Sequence, residues 1–142
     1  MTVGAAGADI CVSFETIALR QSGKILAPWE RTALPTGLSF EIPVGYELQV
    51  RPRSGLSLKT GLVVINSPGT IDSDYRGELK ILIANLSPHD EKISHGMRIA
   101  QMVLAPVIQA KFEYSEYLST TQRGEGGFGS TGTGIFVPES NH

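Results

Sequence analysis

The stretch that decides the fold is Leu38-Ser39-Phe40-Glu41-Ile42-Pro43-Val44-Gly45-Tyr46-Glu47-Leu48-Gln49-Val50-Arg51. Its even positions are all apolar, and its odd positions carry polar side chains, proline or glycine, which is the two-residue period of a strand with one buried face. Proline at 43 and glycine at 45 interrupt the run with turn-forming residues. We therefore expect a hairpin of two strands, residues 37–42 and 46–51.

Similar short runs continue on both sides of this hairpin. Clusters of glycine, proline, asparagine and aspartate separate them, and many short strands at near-regular spacing are typical of a barrel or a jelly roll. Only residues 54–59 favour a helix, with Ser54 as its N-cap and Gly61 just past its end. The further expected strands are residues 10–14, 24–27, 62–66, 78–85, 98–105 and 107–114.

Two of the expected strands are apolar on both faces. They contain Ile81-Leu82-Ile83-Ala84 and Met102-Val103-Leu104-Ala105, so both sides of each strand should be covered. The interior of a sandwich and an interface between subunits explain this pattern equally well.

Length and composition limit the class of protein. A chain of 142 residues has room for one domain with its own core. The formal net charge of -2 and the scattered Lys and Arg offer no basic face for nucleic acid, and no apolar run is long enough to span a membrane. Cys11 is the only cysteine and the histidines are scattered, so neither a disulfide nor a protein-built zinc site is expected. We expect a cytoplasmic protein that binds neither nucleic acid nor membrane.

A candidate phosphate site lies where a strand gives way to the expected helix, at Arg53-Ser54-Gly55. Free N–H groups at a helix start favour an anion, a glycine lets the anion approach the backbone, and an arginine adds charge. An ordinary N-cap next to a surface arginine would have the same sequence.

A candidate functional loop, residues 66–77, separates two of the expected strands. It is too long for a simple turn, and it contains an amide that can read a base edge, a carboxylate that can position a water, and an aromatic ring that can stack on a sugar: Asn66, Asp72 and Tyr75. The same residues include turn formers, so composition supports both interpretations.

The C-terminal segment 123–132 contains five glycines around one arginine, one phenylalanine and two hydroxyls. Glycine supplies no side chain to bury, so such a segment is either a linker or a wrap that becomes ordered around a ligand. Arginine, an aromatic ring, hydroxyls and bare N–H groups are the groups that grip a nucleotide. Composition alone still favours a linker.

Taken in order along the chain, these segments resemble the motifs of the trimeric dUTP diphosphatase (dUTPase) family. Each motif is weak by itself, but five in the right order at plausible separations are specific, and together they cover nearly the whole chain. The motifs are Gly7-Ala8-Asp9-Ile10, Arg53-Ser54-Gly55-Leu56, Asn66 with Gly69-Thr70-Ile71-Asp72-Ser73-Asp74-Tyr75-Arg76-Gly77, Gly96-Met97-Arg98-Ile99-Ala100-Gln101, and the segment from Arg123 to Gly132.

The resemblance implies an all-β, jelly-roll-like distorted barrel with one short helix, assembled as a homotrimer with a swapped C-terminal tail. Residues 1–122 would form the barrel and residues 123–142 a flexible Gly-rich lid and tail. It also implies hydrolysis of dUTP to dUMP and diphosphate, which limits uracil incorporation into DNA and supplies dUMP for dTMP synthesis. Each active site would be built from three subunits.

The resemblance assigns the nucleoside to the loop. Asn66 and the backbone around it would read the uracil edge, and Tyr75 would exclude a ribose 2′-hydroxyl. Asp72 would hold the water that attacks the α-phosphorus. The family match also places Thr70, Ile71 and Lys80 against the substrate.

Ser54, Gly55, Arg53 and Gln101 would face the phosphates. Mg²⁺ would be held by the triphosphate and water, with no direct protein ligand and with Asp9 at most contacting a water ligand of the metal. The tail would close as a lid, with Phe128 over uracil; its phosphate contacts would be Arg123, Gly129, Ser130 and Thr131.

This sequence departs from the family pattern at two places. Family members usually carry a further strand before the Gly-Ala-Asp motif, whereas here Gly7 comes almost at once. We therefore expect that a sheet edge is missing, replaced or swapped. Met97 stands where an acidic residue is common, beside the site. A dCTP deaminase of the same superfamily and a non-enzymatic trimeric β module are the alternatives to a dUTPase.

Overall fold

The computed structural model describes residues 2–128 and Gly134, and within them the chain forms nine strands and two short helices. In chain order these are β1 (Ala8–Cys11), α1 (Ile17–Ser22), β2 (Lys24–Leu26), β3 (Arg31–Pro35), β4 (Tyr46–Arg51), α2 (Ser54–Lys59), β5 (Leu62–Val64), β6 (Gly69–Ile71), β7 (Lys80–Asn85), β8 (Glu91–Ile93) and β9 (Arg98–Pro106).

The strands form three antiparallel sheets around one core. The largest has the order β1-β9-β4-β6, a second has the order β3-β7-β5, and β2 pairs with β8 alone. Fully buried side chains from all three sheets meet in the core; examples are Ile10, Ile83 and Ile93. The all-β prediction is confirmed, although ladder hydrogen bonds do not close the described strands into a single barrel.

The predicted hairpin is wrong. Residues 46–51 form β4, but residues 37–42 form no strand, and β4 pairs with β6 and β9 instead. The reason is that the turn before residue 39 uses its backbone elsewhere: Gly37 N–H bonds to the Glu78 carboxylate, and the Leu38 carbonyl accepts from Leu79 N–H. The alternation predicts burial only in part: Ile42 is buried and Phe40 packs on the core, but Leu38 and Val44 are exposed.

Short strands account for most of the other differences. Strands β3, β6 and β8 were not expected, because three to five residues carry too little periodicity to be recognised without their partners. Residues 107–114, expected as a strand, form none.

The helix over residues 54–59 is confirmed, but its predicted cap is wrong. Arg53 occupies the extended N-cap position, and its carbonyl accepts from the amides of Leu56 and Ser57, so Ser54 is already helical. A second helix, α1, was missed: it has no buried residue to create an apolar period, and its cap is the Thr16 hydroxyl, which accepts from Leu19 N–H.

The two doubly apolar strands are only partly covered within this chain. On β7, Ile81, Ile83 and Ala84 are buried, whereas Leu82 is 37% exposed. On β9, none of residues 102–105 is fully buried, and Leu104 is 53% exposed. The described residues of a single chain therefore leave Leu82 and Leu104 accessible.

The chain divides into two units after Gln109. The first unit contains every helix and strand that the structure describes. None of these helices is long and apolar enough to cross a membrane. In the second, the side chains of Phe112, Tyr114 and Tyr117 are at least 85% exposed, and a turn at 121–126 ends the described stretch near Phe128.

Candidate active site

One cavity of about 280 Å³ collects the predicted nucleoside residues. All six of them line it, namely Asn66, Thr70, Ile71, Asp72, Tyr75 and Lys80. Glu78, Leu79 and Leu82 complete the lining and were not predicted. The loop between β5 and β7 thus forms a concave, mixed polar and apolar surface of the kind that binds a small molecule.

Gly69 is a buried glycine that packs against Asn66, one of the residues lining this cavity. Strand β6 begins at Gly69, which pairs with Val50 on β4. A Cβ placed on Gly69 would lie 3.1 Å from the Asn66 amide nitrogen and 3.3 Å from the Val50 Cβ. The glycine therefore lets the Asn66 side chain lie close to the strand.

Asp72 directly follows β6, whose pairing with β4 fixes the direction in which the chain leaves the sheet. The Asp72 carbonyl accepts from Tyr75 N–H at 3.2 Å, and the Arg76 guanidinium donates to the Ser73 and Tyr75 carbonyls at 2.7 and 3.0 Å. The turn is closed by main-chain acceptors, so the Asp72 carboxylate is exposed and available to a water or ligand.

Tyr75 folds back over the end of its own loop. Its hydroxyl donates to the Glu78 carbonyl at 3.1 Å, and a Cβ on Gly77 would lie 2.3 Å from the hydroxyl oxygen. Only a glycine at 77 leaves room for the ring in this position. Tyr75 as a residue is 46% exposed, so part of it remains accessible to a ligand.

A second group of predicted residues surrounds an ion-pair cluster. Arg53 Nε lies 2.7 Å from Asp9 Oδ1, and Arg98 Nε lies 3.5 Å from Asp9 Oδ2. Arg53 also donates through Nη1 to the Arg98 carbonyl at 3.1 Å and through Nη2 to Asp9 at 3.4 Å. A guanidinium has about five N–H groups. Arg53 therefore keeps donors for a phosphate after it has been oriented.

The amides of Ser54 and Gly55 precede the first helical hydrogen bond of α2, which Leu56 donates. Both residues are exposed, and a Cβ on Gly55 would meet nothing within 4 Å. An anion can thus approach the Gly55 backbone without a steric barrier from this chain.

Gln101 lies next to this cluster because the antiparallel ladder between β1 and β9 pairs it with Asp9. Its side-chain amide donates to the Pro52 carbonyl at 2.9 Å. A Cβ on Gly7 would lie 2.8 Å from the Gln101 amide oxygen, which explains the glycine of the first motif.

Two of the four predicted phosphate residues, Arg53 and Gly55, line a different cavity from the nucleoside residues, whereas Ser54 and Gln101 line neither cavity. Arg53 and Gly55 line a space of about 570 Å³ together with Lys59 and Arg98, and this space contains none of the nucleoside group. Lys59 was not predicted, and Arg98 was recognised as part of a motif without a role. Among the residues that the structure describes, the lining carries three cations, Arg53, Lys59 and Arg98, and no carboxylate, which suits this cavity to a polyanion.

The predicted tail residues are only partly described. Arg123 Nε donates to the Gly126 carbonyl at 2.7 Å within a tight turn, and Phe128 is fully exposed with a left-handed φ of 46°. Gly129, Ser130 and Thr131 lie outside the described residues.

Residues 2–128 offer few side chains that could bind a metal directly. No group of three or more His, Cys, Asp or Glu side chains there is placed to hold an ion. Both Asp9 oxygens accept hydrogen bonds from Arg53. These residues therefore fit a cation whose ligands come mostly from a bound substrate and water.

Comparison with known proteins agrees with this geometry. The dUTPase family model matches residues 1–132. A deoxyuridine 5′-triphosphate nucleotidohydrolase of Roseobacter denitrificans is 57% identical over 132 residues, covering 92% of this chain and 83% of that protein. The enzyme of the same name from Bdellovibrio bacteriovorus is 62% identical over 108 residues, 76% of this chain and 72% of that protein.

Solved structures show the same fold. A mutant dUTPase of Staphylococcus bacteriophage 80alpha, determined with dUpNHpp, has a TM-score of 0.77 and 30% identity, covering 93% of this chain and 89% of that one. A dUTPase from phage phi11 of S. aureus, described with a structural Mg(II) ion, has a TM-score of 0.67 and 25% identity, covering 82% and 86%. The family and the enzyme class expected from the five motifs are confirmed, and this chain belongs to the dUTPase family.

Proposed function

We propose that this chain hydrolyses dUTP to dUMP and diphosphate, with Asp72 positioning the water that attacks the α-phosphorus. The observation that carries the proposal is the 280 Å³ cavity, in which one exposed carboxylate lies among a base-reading amide and a sugar-facing ring. In a cell this reaction would limit uracil incorporation into DNA and supply dUMP for dTMP synthesis.

The base is read by Asn66 and by the backbone that leads into β6. We expect this backbone to leave little room for a thymine methyl or a cytosine amino group, and the support is that the Asn66 side chain packs closely against Gly69 at the start of β6. Room matters, because one methyl in a permissive apolar pocket changes binding by only about 1–3 kcal/mol. A narrow backbone wall supports stronger rejection than an apolar pocket does.

The sugar lies against Tyr75, whose ring occupies the space that a ribose 2′-hydroxyl would need. Its hydroxyl is already engaged by the Glu78 carbonyl, so the ring meets the sugar as a fixed surface. Thr70, Ile71 and Lys80 complete this pocket.

The chemistry needs no covalent intermediate. Asp72 orients a water and accepts its proton as the water oxygen bonds to the α-phosphorus, and the bond to the bridging oxygen of the leaving diphosphate breaks. Positioning in line with the leaving group and neutralisation of phosphate charge supply most of the rate gain in phosphoryl transfer.

The phosphates are held by Arg53, by the free amides at Ser54 and Gly55, and by Gln101. Asp9 keeps the Arg53 guanidinium in place. Mg²⁺ bound by the triphosphate and water would neutralise charge on the phosphates. Asp9 would at most contact a water ligand of such an ion. The phi11 dUTPase, described with a structural Mg(II) ion, supports only that a protein of this fold can bind Mg²⁺.

The active site is completed between subunits of a homotrimer. Two facts support this: Arg53 and Gly55 line a cavity of one chain that is separate from the nucleoside cavity, and Leu82 and Leu104 are apolar side chains that remain accessible for a neighbour to cover. The exposed aromatic residues Phe112 and Tyr114 suit a segment that packs on another subunit. The swapped tail then brings Arg123 and Phe128, with Gly129, Ser130 and Thr131, over a neighbour's nucleotide. We place the enzyme in the cytoplasm.

The experiment is release of diphosphate from dUTP, dTTP, dCTP and UTP with Mg²⁺, for the wild type and for Asp72→Ala. We expect release from dUTP alone and its loss in the variant. Release from dCTP, or from none of the four nucleotides, would overturn the proposal.

Subunit sharing has its own test. Asp72→Ala and Arg53→Ala chains, each weak alone, should recover activity when co-expressed, because a mixed trimer contains a site with both residues intact. If the two chains carry different affinity tags and trimers purified through both tags show no recovery, one subunit supplies both residues.

A further inference from the structure

We propose that Glu78 is a positioning residue for the sugar-facing Tyr75, and that it acts by tying the nucleoside loop to the turn at residues 36–38. This inference rests on the proposed function only in that Tyr75 is taken to face the sugar. Glu78 was not among the residues expected from the motifs, yet its side chain lines the nucleoside cavity.

The Glu78 carboxylate divides its two oxygens between two tasks. Oε1 accepts from the backbone amides of Gly37 and Thr36 at 2.9 and 3.2 Å, while Oε2 lies 3.7 Å from Lys80 Nζ in the cavity. Residues 36 and 37 are more than forty positions away along the chain. The carboxylate therefore fastens the end of the loop to a distant turn.

Two further hydrogen bonds close the same junction. The Thr36 hydroxyl donates to the Leu79 carbonyl at 2.6 Å, and Leu79 N–H donates to the Leu38 carbonyl at 2.8 Å. Thr36 is 5% exposed and Leu79 is 1% exposed, so the turn side of the junction is anchored in the core.

Tyr75 is connected to this junction by a single main-chain group. Its hydroxyl donates to the carbonyl of Glu78, the residue whose side chain makes the anchor. When the carboxylate is removed, the Glu78 backbone loses two of its ties to the turn, and the acceptor that holds the phenol can move. The ring would then be free to retreat from a ribose 2′-hydroxyl.

The variants separate anchoring from charge. Glu78→Ala removes both tasks. Glu78→Gln keeps an oxygen that can accept from the two amides but cannot pair with Lys80. Glu30→Ala is the matched control, since Glu30 also accepts from a backbone amide, that of Ala27 at 2.9 Å, and lines neither cavity. Thr36→Val loosens the junction from the turn side and serves if Glu78→Ala fails to fold.

The primary measurement is the ratio of kcat/KM for dUTP to that for UTP. Glu78→Ala and Thr36→Val should lower this ratio about tenfold, as expected for loss of a fixed polar wall, and Glu78→Gln should restore most of it. In a Tyr75→Phe background, Glu78→Ala should change the ratio by less than about twofold, because the two residues act through one contact.

A second readout does not depend on activity. In ¹⁵N spectra the amide resonances of Thr36 and Gly37 should shift in Glu78→Ala and much less in Glu78→Gln. An unchanged dUTP-to-UTP ratio in Glu78→Ala, with a loss of stability like that of Glu30→Ala, would reduce Glu78 to a structural role and overturn the proposal, as would unshifted amides. A wild type inactive on dUTP would refute the proposed function. In that case the amide shifts of Thr36 and Gly37 would still show whether the Glu78 carboxylate anchors the loop to the turn.

Discussion

The carboxylate of Asp9 holds the guanidinium of Arg53, with Oδ1 accepting from Nε at 2.7 Å across 44 positions of sequence. The contact joins the first motif to the second and leaves N–H groups of Arg53 directed elsewhere. The side chains are 41% and 29% exposed. A pair this open contributes little to stability, so its importance lies in orientation.

Asp9→Asn should therefore separate stability from activity. We expect the free energy of unfolding to change by no more than about 1 kcal/mol, as is usual for exposed ion pairs. The kcat/KM for dUTP should fall about tenfold or more, because Arg53 is no longer held for the phosphates. Asp90→Asn, which alters an exposed carboxylate in the β7–β8 turn, should change neither. A large drop in melting temperature with unchanged kinetics would contradict this role.

Asp72→Ala should lower kcat by about 10²- to 10⁴-fold, the range for loss of a general base. Binding of a non-hydrolysable dUTP analogue, followed by calorimetry, should be largely retained. Asp74→Ala is the control: it lies in the same turn but lines a different cavity, with Glu41 and Arg76. Equal losses in the two variants would assign the effect to loop structure.

Gly55→Ala should leave the fold intact and weaken substrate binding. A Cβ there meets nothing within 4 Å in the free chain, and alanine favours a helix by up to about 1 kcal/mol over glycine. A higher melting temperature together with a raised KM would show that the glycine is needed by the ligand. Ser57→Ala on the same helix is the control and should leave KM unchanged. An unchanged KM in Gly55→Ala would show that the phosphates do not bind the backbone at Gly55.

Gly77→Ala should move Tyr75, since the new Cβ would lie 2.3 Å from the phenol oxygen and 2.6 Å from Cζ. The loop is exposed, so the ring can shift at little cost to the core. We expect hydrolysis of UTP to rise relative to dUTP, measured as the ratio of kcat/KM values. An unchanged ratio in Gly77→Ala would mean that the placement of the ring is not what excludes UTP.

Deletion of residues 123–142 should leave a folded trimer with severely reduced turnover, because the lid that excludes bulk water is lost. Sedimentation and diphosphate release check the two parts. Deletion of residues 133–142 is the control, since the family match ends at residue 132, and it should keep activity. Unchanged kcat/KM after the longer deletion would refute the lid.

The sequence by itself determined the family, the all-β class, the helix over residues 54–59 and six residues that share one cavity. These features follow from side-chain periodicity, turn residues and short motifs, which are each formed by neighbouring residues, and from the order of the motifs along the chain. Local periodicity also identified β4, although it assigned the wrong partner to that strand.

Only the tertiary structure decided which strands pair, and that residues 36–38 bind Glu78 and Leu79 in place of a hairpin. It also decided that Arg53 and Gly55 line a cavity separate from that of the six loop and strand residues. Each of these depends on groups that are far apart in sequence and meet through hydrogen bonds and burial. A backbone N–H is satisfied by whichever acceptor the folded chain brings near it. For Gly37 that acceptor was a carboxylate 41 residues away, which no local pattern could reveal.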